Sequence, residues 1–282
     1  MKILLRISKI NKSSYYKWLS NIEKQVNKEQ EENKIIDAIK ELYIKHKGRY
    51  GVERMTKALK VEKDIHCNHK KVYRIMKENG YLSVVKPKKN YIKPGKAHPK
   101  HNVLKRNFTT SCPYDKIATD VTEISMFGIK TYISPIKDLH TNMIESREIG
   151  KSATLVTVMK MFDKIKDKSI PEGTIFHSDQ GALYNSSKFQ KELEKNNFIQ
   201  SMSRKGTPID NSPMESFFST LKSEVIYNPL VKIESYEDLI KELEEYFEYY
   251  NNERIQKGLG YLTPKQFKEK ELVRISMENV EN

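Results

Sequence analysis

The stretch TIFHSDQGALYNS, Thr174 to Ser186, begins as an apolar run and breaks at once into His177-Ser178-Asp179-Gln180-Gly181. The run reads as a strand. Ser, Asp and Gly are ordinary turn residues, so a plain turn accounts for the break. An acid at a strand end of an α/β sheet, however, also sits where ligands bind. The two readings separate only if other acids join Asp179.

Two acids are candidates. Asp120 lies inside KIATDVTEIS, residues 116–125. Read as one strand, this segment puts Ala118, Asp120 and Thr122 on one face. A carboxylate inside an otherwise buried strand is costly unless a cation or a hydrogen bond compensates it. Glu215 lies near the start of the helical segment PMESFFSTLKSEV, residues 213–225. Each has a structural alternative. Asp120 at a sheet edge would face water, and Ser212-Pro213-Met214-Glu215 has the form of a capping box with Ser212 as N-cap. Together, carboxylates converging from separate elements are the donor set that divalent-metal phosphoryl transfer requires.

The surrounding pattern supplies the elements. KIATDVTEIS, KTYISPIKDL and MIESREIG read as three successive strands in an antiparallel meander. SATLVTVMKMFDKIK is an amphipathic helix with Leu155, Val158, Met159 and Phe162 inward. GTIFHS is a fourth strand, SKFQKELEKNN a helix and FIQSMS a fifth strand. The loop SRKGTPIDN, the helix bearing Glu215 and a long helix, YEDLIKELEEYFEYYNN, follow. Strands interleaved with helices predict a three-layer α/β domain. Asp138 ends the second strand and reads as structural.

The front of the chain differs. The net charge is +14, yet residues 1–110 hold 28 Lys/Arg against 10 Asp/Glu, and the remainder is mildly acidic. Such asymmetry predicts a polyanion-binding module joined to something else. Residues 14–45 read mostly as helix, with Ile35, Ile36, Ile39, Leu42 and Tyr43 on one stripe, and NKEQEEN as a solvated face or a break. HKGRYG is a turn. Helices follow in GVERMTKALK and CNHKKVYRIMKENG, the latter with Asn68 as N-cap and Gly80 as stop. Two short helices about a tight turn, the second basic through Lys70, Lys71 and Arg74, point to helix-turn-helix DNA binding. The Lys/Pro-rich segment that follows reads as an extended linker. The expected domains are thus a helical DNA-binding region over 1–83 (helix-turn-helix about 48–80), a linker over 84–108, a catalytic core over 109–230 and a helical extension over 231–282.

Several classes are excluded. No run of 18 apolar residues is present, so no membrane span is expected. MKILLRISKI lacks the form of a secretory signal. Two cysteines, Cys67 and Cys112, make no disulfide framework and suit a reducing cytosol. With His66, His98 and His101 they match no zinc spacing.

The motifs together resemble those of the second reading frame of IS3-type insertion sequences, transposases with a retroviral-integrase-like DDE core. The resemblance runs from about Tyr15 to Phe267. It rests on TDVT at 119–122, HSDQGALYNS at 177–186, SMSRKGTPIDNSPMESFFSTLKSE at 201–224 and YNNERIQKGLGYLTP at 250–264. Between Asp179 and Glu215 lie 35 residues, the family's DD(35)E spacing. The resemblance implies an RNase H-like core with a mixed five-stranded sheet and flanking helices. It makes Asp120, Asp179 and Glu215 catalytic and metal-binding, with Mg²⁺ or Mn²⁺, two ions, as cofactor. It implies cleavage at the element's ends and joining of the freed 3′-hydroxyl to DNA. The implied partners are terminal inverted repeats, target DNA, further copies of the chain on DNA, and an upstream-frame product or frameshift fusion. The expected location is the cytoplasm, at the nucleoid.

Lys222, two turns after Glu215, is a candidate phosphate contact, as are Arg204, Lys205, Arg254 and Lys257. Asn211 is read as capping the Glu215 helix or holding its surroundings. Tyr184 and Ser186 pack against the Asp179 turn or touch substrate. His177 and Gln180 have no assigned chemistry. Two departures stand out: Ile117 where the family usually has Trp, and Gln256 where it has His. Two rival readings remain at this point, a non-catalytic DNA-binding regulator and an RNase H-like nuclease that cuts without joining.

Overall fold

The computed structural model describes residues 11–85, 102–166, 168, 170–204 and 207–278. The chain forms two compact units that divide between Val84 and Val85.

The first unit is helical. Helix α1, Lys12–Lys45, is one continuous element through NKEQEEN, so that stretch is a solvated face and not a break. Its buried residues, Ile35, Ala38, Ile39 and Leu42, cluster in the last third and meet Met55, Ala58 and Leu59 of α2, Val52–Lys63. Helix α3, His69–Glu78, adds Val72, Ile75 and Met76. Its start is fixed by the Asn68 carboxamide, which accepts from the amide of Lys70 at 2.9 Å. At its end Gly80 has φ +72°, a left-handed conformation that suits glycine.

The second unit is built on a mixed sheet. Its strands are β1 Lys116–Thr119, β2 Thr122–Met126, β3 Ile129–Asp138, β4 Ile144–Gly150, β5 Ile175–Ser178 and β6 Ile199–Met202. Strand β3 is antiparallel to β1, β2 and β4, whereas β1–β5 and β5–β6 are parallel. KIATDVTEIS, expected as one strand, is therefore two. Thr119 faces Ile136 and Thr122 faces Ile133, so β1 and β2 run end to end along β3 in one register. Asp120 and Val121 occupy the gap, across from Ser134 and Pro135. Pro135 has no amide hydrogen to give the ladder. The sheet thus has six strands in five rows, and the break falls at the acid.

Helices cover both faces. Helix α4, Leu155–Lys166, packs on β3 and β4, and α5, Ser187–Lys195, packs on β6. Between them and the sheet, Phe162, Phe176, Phe189 and Phe198 meet edge to face at centroid separations of 5.2–6.2 Å. Full burial of each such ring contributes roughly 1.5–3 kcal/mol. Ile117 is fully buried in this core, so the departure from Trp is one of packing. Helix α6, Ser212–Leu221, packs against β1 and runs into a π turn, Lys222–Ile226. Helix α7, Tyr236–Asn252, covers β4, and α8, Pro264–Glu278, follows it.

The last residues of the segment read as linker belong to this core. Leu104 is buried, and its amide donates to Ser201 Oγ at 2.9 Å. The side chains of Asn102 and Arg106 donate to Asp210 at 3.0 and 2.6 Å. Residues 86–101 of that segment lie outside the described residues.

Candidate active site

Asp120 directly follows β1, and Asp179 directly follows β5. These strands are parallel neighbours in which Ala118 pairs with His177, and each acid stands two residues further along its own strand. The register therefore brings the two acids side by side at the carboxyl ends of adjacent strands, the edge where α/β sheets bind ligands.

The electrostatics agree. Burial pushes the Asp120 carboxyl up to about 7, and the charges of Asp179 and then Glu215 push in the same direction. The amide of Val121, which donates to its Oδ1 at 2.7 Å, works against that rise. The Glu215 carboxyl is also raised, by burial.

Asp179 is presented by its own turn. Its Oδ1 accepts from the amide of Gly181 at 3.0 Å. A Cβ at residue 181 would lie 2.9 Å from that oxygen, closer than real contacts allow. A methyl group there would push the Asp179 carboxylate aside. Gly181→Ala is expected to displace the carboxylate and lower strand cleavage by about 10–100-fold, as a misplacement near 1 Å does. Turnover at saturating DNA measures the effect, and an unchanged rate would disprove it.

Glu215 is not a capping residue. Asn211 is the N-cap of α6, without a side-chain cap bond, and Ser212 is already helical. Glu215 makes no hydrogen bond or ion pair among the described residues, which leaves its carboxylate available. No described group of three or more His, Cys, Asp or Glu side chains is gathered tightly enough to hold an ion. Asp120 nevertheless feels the charges of both Asp179 and Glu215, and the side chains of all three offer hard oxygens of the kind Mg²⁺ accepts.

Neighbouring residues fall into place as structure. His177 is fully buried, hydrogen-bonded through Nδ1 to Ser201 Oγ at 2.9 Å and through Nε2 to Ser203 Oγ at 3.1 Å. Burial lowers its imidazole to about 4, so it is neutral and ties β5 to β6. Tyr184 is buried, and Ser186 caps α5 by accepting from the Phe189 amide at 3.3 Å. Asp138 accepts from Tyr114, His140 and Thr141, which makes it a turn-building acid.

The expected DNA contacts divide. Arg204 is committed to Asp210, which is fully buried: Nε and Nη2 donate at 2.7 and 2.8 Å. These bonds hold the Asp210 carboxyl far below its ordinary range. Arg254 is 7% exposed and donates to both oxygens of buried Glu224, at 3.0 Å from Nε to Oε2 and 2.8 Å from Nη2 to Oε1. Arg254 is thus buried in its ion pair, which speaks against its reading as a DNA contact, whereas Arg204 stays 28% exposed beside Asp210. Lys222 is half-buried in the π turn, and Lys257 is exposed in the short turn Lys257–Leu259. Lys205 lies outside the described residues. In the helical unit Lys70 is exposed, Lys71 lies 3.8 Å from Glu32, and Arg74 pairs with Glu32 and Glu78, both at 2.8 Å. Gln256, at the family's His position, bridges by its backbone to Leu262.

Sequence reasoning missed Thr119 as a contact point and Gly181 as a steric requirement. The first has no local signal, because its partners lie 65 and 92 residues away. The second was readable only as a turn glycine.

The chain is similar to known families and proteins. Residues 30–89 match an HTH-like domain, and residues 110–208 and 197–264 match two integrase core domain models. The putative transposase InsK for insertion sequence element IS150 of Escherichia coli is 36% identical over 267 residues, 94% of this chain and 92% of its own. The transposase for insertion sequence element IS904 of Lactococcus lactis is 34% identical over 86% of this chain and 96% of its own length. Transposase InsF for IS3A of Escherichia coli is 27% identical over 96% and 95%. Among solved structures, the HTLV-2 integrase catalytic core domain in complex with magnesium aligns at 15% identity and a TM-score of 0.41, covering 56% of this chain and 97% of that one. Among the described residues no helix is long and apolar enough to cross a membrane. With a helix-turn-helix-like unit ahead of an integrase core and full-length kinship to insertion-sequence proteins, the chain belongs to the IS3 family of transposases.

Proposed function

We propose that the chain cleaves the ends of its insertion sequence and joins the freed 3′-hydroxyl to DNA by metal-dependent phosphoryl transfer. The observation that carries this reading is the register of β1 against β5, which brings Asp120 beside Asp179 with the charge of Glu215 in reach. Carboxylates with raised pKa values and no cation partner among the described residues are poorly explained by stability.

Asp120, Asp179 and Glu215 would hold Mg²⁺ or Mn²⁺, two ions as the family resemblance implies. When bound, such ions activate the attacking oxygen and stabilise the leaving one. The chain's own residues do the rest. The Gly181 amide fixes the direction of the Asp179 carboxylate. Burial of Asp120, with the charges of Asp179 and Glu215, disfavours its ionised form until an opposing charge arrives. Lys222, seven residues after Glu215, is the candidate phosphate contact near the cut, and Lys257, exposed after α7, is a second candidate. In the helical unit, Lys70, Tyr73 and Lys77 form the exposed face of α3 and serve as its DNA contacts. The surface ion pairs of Lys71 and Arg74 are worth less than about 1 kcal/mol, so both side chains can exchange Glu32 for a phosphate.

The test uses a labelled duplex carrying the chain's own gene with its flanking DNA, incubated with the protein and Mg²⁺. Cleavage at the element's ends followed by joined products is the expected result. Binding without cleavage would establish the regulator reading, and cleavage without joining the nuclease reading.

A further inference from the structure

Thr119 touches the elements that carry all three acids. Its own backbone leads directly into Asp120. Its Oγ1 donates to the Pro135 carbonyl at 2.9 Å and is hydrogen-bonded to the Tyr184 hydroxyl at 3.1 Å. Tyr184 lies five residues after Asp179, and its carbonyl accepts from Gln200 Nε2 at 2.8 Å, so both ends of the tyrosine are pinned. The Thr119 carbonyl accepts from Asn211 Nδ2 at 3.0 Å. Asn211 is the residue from which α6 starts, one turn before Glu215. All three side chains are buried: Thr119 fully, Tyr184 at 1% and Asn211 at 4% exposure.

A helix usually uses its N-cap carboxamide on its own amides. Asn211 does not, and its Oδ1 is buried without a partner among the described residues. Leaving a carboxamide oxygen unpaired is unfavourable, and a residue serving only local stability would cap. The side chain is turned instead toward the strand bearing Asp120.

Resting on the functional reading above, we infer that Thr119, Tyr184 and Asn211 are positioning residues that hold Asp120, Asp179 and Glu215 in register for metal binding. Each hydrogen bond couples one acid-bearing segment to Thr119. Loss of either bond lets one carboxylate drift while the hydrophobic core stays packed.

The test removes single polar groups. Tyr184→Phe deletes one hydroxyl, and Asn211→Ala deletes the carboxamide from the full-length protein. Mn²⁺ binding is measured by electron paramagnetic resonance, beside the melting temperature of the metal-free protein. The expected result is Mn²⁺ affinity weakened by about 10-fold or more in each variant, the scale seen when residues supporting metal ligands are lost. Tyr184→Phe should melt within a few degrees of wild type. In the DNA assay kcat at fixed Mn²⁺ should fall with KM for DNA unchanged. Mn²⁺ binding by the wild type that both variants retain in full would overturn this proposal alone. No Mn²⁺ binding by the wild type would overturn the functional reading and this proposal with it.

Discussion

Asp179→Asn is expected to lower Mg²⁺-dependent strand cleavage by about 10²–10³-fold or more, the scale of losing one group that stabilises transition-state charge. The substitution is isosteric. An asparagine Oδ1 can still accept from the Gly181 amide, so the turn survives. Asp120→Asn and Glu215→Gln should be equally damaging to activity, for the same reason. Their effect on stability should have the opposite sign. Asp120 carries a carboxyl raised by burial and by two neighbouring charges. Making it neutral removes both penalties, so metal-free Asp120→Asn should melt at or above the wild-type temperature. Inactive but undiminished in stability is the signature of a site kept for chemistry. A gel assay on end-labelled DNA and a thermal melt measure the two quantities. Full activity in any one of the three variants would remove that residue from the site.

Arg254→Ala should be among the most destabilising substitutions in the second unit. Glu224 is 2% exposed and accepts from Arg254 and from the Tyr246 hydroxyl at 3.1 Å. Removing the guanidinium leaves a carboxylate buried without its counter-charge, which costs about 3–5 kcal/mol. For a unit of this size that is a fall of roughly 6–20 °C in melting temperature. The guanidinium also lies over the Tyr250 ring, 5.5 Å from its centroid, so packing is lost with the charge. If Arg254 were a DNA contact, the same change would leave stability intact and flatten the salt dependence of binding. The two outcomes are cleanly separated by a melt and a salt titration. The double variant Arg254→Met with Glu224→Leu should recover most of the stability, since a buried pair replaced by apolar residues is often neutral.

Several features of the fold follow from local rules and were legible without coordinates. The cap at Asn68 and the left-handed stop at Gly80 are short-range chemistry. Asp138 was recognisable as a turn residue because its partners lie mainly within its own corner. Helical spacing set the apolar face of α4: Val158 and Phe162 are buried as expected, together with Met161 and Ile165, while Leu155 and Met159 are only partly buried. What escaped were features decided at long range. The break between β1 and β2 shows only in their pairing along β3. Glu215 looked like half of a capping box because the four residues Ser212 to Glu215 are consistent with one. In the structure the helix starts from Asn211, whose side chain bonds to Thr119, 92 residues earlier, rather than to the helix's own amides.

The basic residues show the limit most clearly. A sequence gives charge, and charge alone made Arg204 and Arg254 look like DNA contacts. Asp210 and Glu224 claim those guanidinium groups, and only folding shows that both acids are buried.

By itself, then, the sequence determined the family, through the motifs that carry its resemblance, and the order of the helical unit and the integrase core; the three acids are its proposal for the site. The tertiary structure decided which charges are spent inside the protein and how the acids are brought together. Burial and strand register arise from contacts between residues far apart in the chain, and no local pattern encodes them.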